Sequence, residues 1–190
     1  MKIYFLRHAE TPGNLERRYI GCRTDQPLSA EGEKHAASLT GLPPLRRVYV
    51  SPMKRAVQTA ALCFPGAELI PVSGLREMDF GEFEGRNAEE MKDDPVYSAW
   101  VASGCEGPCP GGEDMKGYQD RAGAAFFEAV AAEEARGGET TAVVAHGGTI
   151  MAVMSRCGVP ERRYFDWRVS NCGGYLVETE GKRLRLLKEL

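Results

Sequence analysis

Two of the chain's three histidines stand directly after short apolar runs. Arg7-His8-Ala9-Glu10-Thr11 follows Lys2–Leu6, and His146-Gly147-Gly148 follows Thr140–Ala145. In open α/β sheets ligands gather at the carboxyl ends of strands, so both positions suit a site. The two glycines permit close backbone approach, and the helix they begin offers unpaired N–H groups to an anion. Arg55, in Ser51-Pro52-Met53-Lys54-Arg55-Ala56, follows another strand-like run and brings a guanidinium fork matched to phosphate oxygens. The carboxylates of Glu77-Met78-Asp79-Phe80-Gly81-Glu82 include one that could carry a proton to and from a substrate oxygen. Imidazole, guanidinium and carboxyl groups gathered at strand ends suit the binding of a phosphate group. His35, beside Lys34 in a helical pattern, reads as a structural histidine.

These residues need strands to aim them. Lys2–Leu6 and Arg46–Val50 are β-branched and aromatic and end at polar positions; Leu69–Val72 is a weaker strand candidate. Thr140–Ala145 is a continuous apolar run of the kind buried in a parallel sheet. Gly174–Glu178 and Arg183–Leu187 form a predicted hairpin through Glu180-Gly181. Helices are predicted after Ser29, from Ser51-Pro52, over Asp114–Arg136, and from Gly147 to about Cys157. No repeat or linker divides the chain, so one domain over residues 1–190 is expected, with Lys92–Gly112 as an excursion over the active site. The alternation predicts an α/β three-layer sandwich, its sheet mainly parallel and its helices on both faces.

Composition narrows the function. The 190 residues carry 24 Lys plus Arg against 27 Asp plus Glu, a net charge of -3, without the basic excess that nonspecific nucleic-acid binding requires. No apolar run approaches the roughly 18 residues of a membrane span. The apolar start is also too short for a secretory signal, so a cytoplasmic protein is expected. In a reducing compartment the six cysteines are expected as free thiols, and Cys105 and Cys109 lack a second pair at zinc spacing.

The sequence resembles the histidine phosphatase superfamily, in its phosphoglycerate mutase-like branch. The resemblance is carried by Leu6-Arg7-His8-Ala9-Glu10-Thr11 with Asn14, Gly21 through Pro27-Leu28-Ser29 with Gly32, Ser51-Pro52 with Arg55-Ala56 and Gln58-Thr59-Ala60, Glu77, and His146-Gly147-Gly148. Ala9 departs from the glycine of many relatives, a small-for-small change. The resemblance implies His8 as the phosphoacceptor, Arg7, Arg55 and His146 around the phosphoryl group, and Glu77 as general acid and then base. It also implies Asn14, Gly147, Cys22 and Arg23 as substrate-binding residues, a small-molecule phosphomonoester as partner, and no cofactor or metal.

Glycolytic mutases of this superfamily hold a second phosphate with paired arginines in an insertion between Glu77 and His146. Lys92–Gly112 contains no arginine, so hydrolysis is expected over mutase action. Among the phosphatases the softer motifs resemble alpha-ribazole phosphatases of cobalamin synthesis. These are Glu77-Met78 with Phe80-Gly81, Tyr97-Ser98-Ala99-Trp100, Gly111-Gly112-Glu113, and Phe165 with Arg168-Val169. Tyr97 and Trp100, three apart, share a face if helical: either core packing or, with Trp167, an aromatic wall against a heterocyclic base. The alternatives are a broad-specificity small-molecule phosphatase, a mutase, and a phosphoprotein-binding pseudo-enzyme.

Overall fold

Successive side chains along each strand alternate between two cores, and this alternation builds the layers. In the computed structural model, which describes all 190 residues, β1 (Lys2–Arg7) turns Ile3 and Phe5 to one face, Tyr4 and Leu6 to the other. β2 (Arg47–Val50), β3 (Glu68–Pro71) and β4 (Thr140–Ala145) join β1 in a parallel run. The short β5 (Gly158–Val159) pairs with the far edge, while β6 (Gly174–Glu180) runs antiparallel to β1 and β7 (Arg183–Glu189) folds back on β6. The seven-stranded order is β3-β2-β4-β1-β6-β7-β5. β1 and β4 therefore lie side by side at the centre, with Arg7 in register with Ala145.

Helices cover both faces. α1 (Pro12–Leu15) is a single turn, whereas α2 (Ala30–Ser38) and α3 (Lys54–Cys63) layer one side. There Ala56 and Ala60 of α3 pack with Leu6, Val48 and Val144. α4 (Pro95–Ala102) lies within the 92–112 segment. α5 (Met115–Ala135) and α6 (Gly147–Cys157) cover the opposite face, packing Phe126, Val130, Ile150 and Val153 against Ile3, Phe5 and Val143. The expected three-layer sandwich is what forms, with strand ends shifted by a residue or two.

One expected boundary moves. The sequence reading opens α3 at Ser51-Pro52, but the helix begins at Lys54. The Ser51 hydroxyl lies ahead of it, 2.8 Å from Nε2 of His146 and accepting from the Met53 N–H at 3.5 Å. The cap comes instead from Asp25, whose Oδ1 accepts the Lys54 N–H at 2.7 Å.

Candidate active site

β1 ends where the site begins. The His8 N–H donates to the Ala145 carbonyl at 2.9 Å, and the His8 carbonyl accepts from Asn171 Nδ2 at 3.0 Å. His8 is thereby pinned between the end of β4 and the 170–173 loop, with 4% of its surface exposed. Its Nδ1 lies 2.6 Å from the Ala9 carbonyl, which can only accept, so Nδ1 carries the hydrogen. Burial, then the charges of Arg55 and Arg7, push the His8 pKa well below its ordinary value. A neutral ring with a protonated Nδ1 leaves the lone pair on Nε2.

His146 holds the opposite tautomer. Its Nδ1 accepts from Arg55 Nε at 3.2 Å, so Nε2 carries the hydrogen and donates to Ser51. Burial and Arg55 likewise depress its pKa. The two imidazole centroids lie 5.2 Å apart. Arg55 is fully buried; its Nη atoms donate to the carbonyls of Thr24 at 2.9 Å and Gly21 at 3.0 Å.

A cleft of about 240 Å³ opens above these groups, lined by Arg7, His8, Asn14, Glu77, Gly147 and Gly148 among others. Arg7 donates from Nη1 to the Val169 carbonyl at 2.8 Å, while its buried Nε has no partner. An orphaned guanidinium N–H beside a helix N-terminus is suited to an anion's oxygen. Gly147 makes room for it, since a Cβ there would stand 3.3 Å from Arg7 Nε. Asn14 is fixed by a capping box on α1: its Oδ1 accepts from the Thr11 N–H at 3.1 Å and from Asn171 Nδ2 at 3.2 Å. The Asn14 Nδ2 hydrogens are left without a protein acceptor.

Glu77 closes the other wall. Its Oε1 accepts from the Tyr118 hydroxyl at 2.5 Å and the Met78 N–H at 3.0 Å, and its Oε2 from the Gly148 N–H at 3.1 Å. Neither Tyr118 nor Gly148 was among the expected site residues. Gly148 stood in the motif, but Tyr118 sits within α5 with no local signal. Arg18, Tyr19, Phe80, Met151 and Arg168 also line the cleft and were not assigned to it from sequence.

Other expected residues lie elsewhere. His146 and Arg55 sit behind His8 and do not line the open cleft. Arg23 pairs with Asp79 at 2.8 Å, and the Cys22 N–H donates to the Met78 carbonyl at 3.2 Å, so both join a loop clasp outside the cleft lining. None of residues 92–112 lines the cleft either. Tyr97 and Trp100 are core residues rather than an exposed wall, stacked on Phe83 and on Tyr19, whose hydroxyl is 2.9 Å from that of Tyr97. Trp167 is fully buried against Tyr175. Burial of apolar area decided these positions, leaving Tyr19 and Phe80 as the cleft's aromatic residues. A larger hollow of about 720 Å³ between the start of α5 and residues 163–166 contains no histidine, and it meets this site only through Tyr164.

All six thiols are free, and burial raises the pKa of each, to about 12 for Cys63 and Cys109. No helix is long and apolar enough to cross a membrane.

Comparison with known proteins identifies the family. A Hydrogenobacter thermophilus protein bearing a phosphoserine phosphatase name is 29% identical, over 98% of this chain and 93% of its own. The structure of a phosphoglycerate mutase from Thermus thermophilus is 34% identical with a TM-score of 0.72, covering 100% of this chain and 98% of that one. An alpha-ribazole phosphatase from Shigella flexneri superposes with a TM-score of 0.83 over 98% of this chain and 95% of its own; at 23% identity it bears on the fold alone. The family model of the histidine phosphatase superfamily, branch 1, matches residues 3–189. The chain belongs to the histidine phosphatase superfamily and is a phosphatase of that class.

Proposed function

We propose that the protein hydrolyses small-molecule phosphomonoesters through a phosphohistidine on His8. The observation that carries this reading is the His8 tautomer: a buried, neutral imidazole with Nδ1–H held by the Ala9 carbonyl and its lone pair on Nε2, in one cleft with Arg7 and Glu77. In the first step the Nε2–P bond forms, the bond from phosphorus to the ester oxygen breaks, and Glu77 gives that oxygen its proton. In the second, water adds to phosphorus as the N–P bond breaks, and Glu77 takes water's proton. Arg7, Asn14 and the Gly147 N–H face the cleft as donors for the phosphoryl oxygens, whose charge they neutralise as it spreads. Arg55 completes the positive field from beneath, and the neutral His146 holds its guanidinium through Nδ1. On this reading Gly147 binds substrate, while Cys22 and Arg23 act only by fixing the neighbouring loops.

The substrate reading rests on softer ground. Alpha-ribazole 5'-phosphate is the named candidate from the sequence motifs, and a broad-specificity phosphatase is the alternative. Burial of Tyr97, Trp100 and Trp167 favours the alternative, since none is free to stack on a base. The absence of arginine from 92–112 favours hydrolysis over transfer.

Acid-quench labelling tests the core of the proposal. Brief reaction with a labelled ester is expected to leave an acid-labile, base-stable phosphoryl group on the protein, and His8→Ala to abolish it. A mutant that still labels and turns over would refute the assignment. A panel of p-nitrophenyl phosphate, alpha-ribazole 5'-phosphate, phosphoserine and 3-phosphoglycerate ranks substrates, with isomerisation of the last slower than hydrolysis of the best ester.

A further inference from the structure

The contacts of Glu77 leave it a single vacant lone pair. A carboxylate has about four lone-pair sites, two on each oxygen. Tyr118 and the Met78 N–H fill those of Oε1, while Oε2 has only the Gly148 N–H. Tyr118 is fully buried and its ring sits in the main core, so the hydroxyl meets no solvent. Its one hydrogen is directed to Glu77; the 3.0 Å contact with Thr149 Oγ1 then has Thr149 donating to Tyr118, the nearer acceptor, with the Leu75 carbonyl 3.4 Å away. Burial, followed by the charge of Glu77, holds the phenol well above its ordinary pKa, so it stays a donor. The other charged or titratable groups around Glu77 are Arg7 on β1, Arg55 on α3, Tyr164 in the 164–167 turn and Arg121 on α5, whose Nη2 donates to the Glu77 carbonyl at 3.4 Å; His8, Arg18 and Arg168 share the cleft.

We propose that Tyr118 is a positioning residue for proton transfer: by occupying Oε1, held in turn by Thr149, it confines the travelling proton to the vacant site on Oε2. The proposal rests on the reading of Glu77 as acid and base. Without the hydroxyl, the proton could settle on Oε1, and the carboxylate would lose one of its three donors. A tyrosine that merely filled space would need its ring and not its oxygen.

The test compares wild type with Tyr118→Phe, Thr149→Val and Glu77→Gln, measuring kcat and KM separately for an alkyl phosphate and for p-nitrophenyl phosphate. Tyr118→Phe is expected to lower kcat on the alkyl ester about tenfold, roughly the effect of one strong hydrogen bond, with KM little changed. The nitrophenyl ester needs little protonation and should lose much less. Thr149→Val should show the same split between the esters, smaller in size, and it carries the test if Tyr118→Phe does not fold. Equal losses on both esters would reduce Tyr118 to packing and overturn the proposal. If Glu77→Gln is impaired while both other variants match wild type, the proposal alone fails. If Glu77→Gln is unimpaired, the acid–base reading fails and takes the proposal with it.

Discussion

At the scale of single residues, the site depends on two neutral histidines in opposite tautomers. His8 keeps its hydrogen on Nδ1 for the Ala9 carbonyl, and His146 on Nε2 for Ser51. Nitrogen-15 imidazole spectra are expected to report a bare Nε2 in one ring and a bare Nδ1 in the other; matching tautomers would contradict the geometry. His8, Arg7, Asn14, Glu77 and Gly147 were legible in the sequence because their motifs are local, each following a strand or opening a turn. Tyr118 was not legible, because its partner Glu77 is 41 positions away and its own surroundings read as an ordinary helix face. Cys22 and Arg23 fall outside the cleft lining for a related reason. A motif fixes where the backbone goes, but Asp79, from a distant loop, captured the Arg23 side chain.

At the scale of elements, strands set the direction of each catalytic loop, and helix starts do the fine aiming. The N-terminus of α6 leaves no space for a side chain at its second residue. A Cβ on Gly148 would approach Glu77 Oε1 to 2.3 Å and the Tyr118 hydroxyl to 3.0 Å. Gly148→Ala is therefore expected to displace the carboxyl and cost about a hundredfold or more in kcat on alkyl esters, the scale of a lost acid–base group. Alanine suits a helix, but the displaced carboxyl leaves the buried Tyr118 hydroxyl unpaired, so thermal melts should show a loss on the order of 1–3 kcal/mol. Steady-state kinetics with a melting curve check both halves. Most elements were readable from periodicity and caps, Asp114 and Gly137-Gly138 bounding α5 almost to the residue. α4 was harder to see: eight residues among prolines and glycines, it is held by the Asp94 cap and by packing of Tyr97 and Trp100 on Tyr19 and Phe83. Nothing local to 92–112 announces those contacts.

At the scale of the whole molecule, burying His8 and His146 uncharged ties stability to pH. Both folded-state values lie below the ordinary 6.5, so the unfolded chain binds more protons in the window beneath it. Stability is then fully present above that value and falls as pH drops through it, by about 1.4 kcal/mol per pH unit for each histidine. Urea midpoints are expected to be flat from pH 8 to about 7 and to decline below 6.5. His8→Gln should remove about half of that slope; an unchanged slope would mean that His8 is not buried neutral. Loss of the Arg47–Glu133 pair belongs to a separate window, because Arg47 holds the Glu133 carboxyl below the ordinary 4.5.

The central place of β1 has a consequence for how the protein is made. Lys2 pairs with Thr140 on one side and Glu178 on the other, so the first of the seven strands to leave the ribosome finds its two neighbours only after the other parallel strands have been made. Until then Ile3, Phe5 and Leu6 have no sheet to enter, and an unpaired apolar strand is a template for association with other chains. Any fragment that stops before residue 140 carries His8 without the β4 carbonyl and the 170–173 loop that pin it.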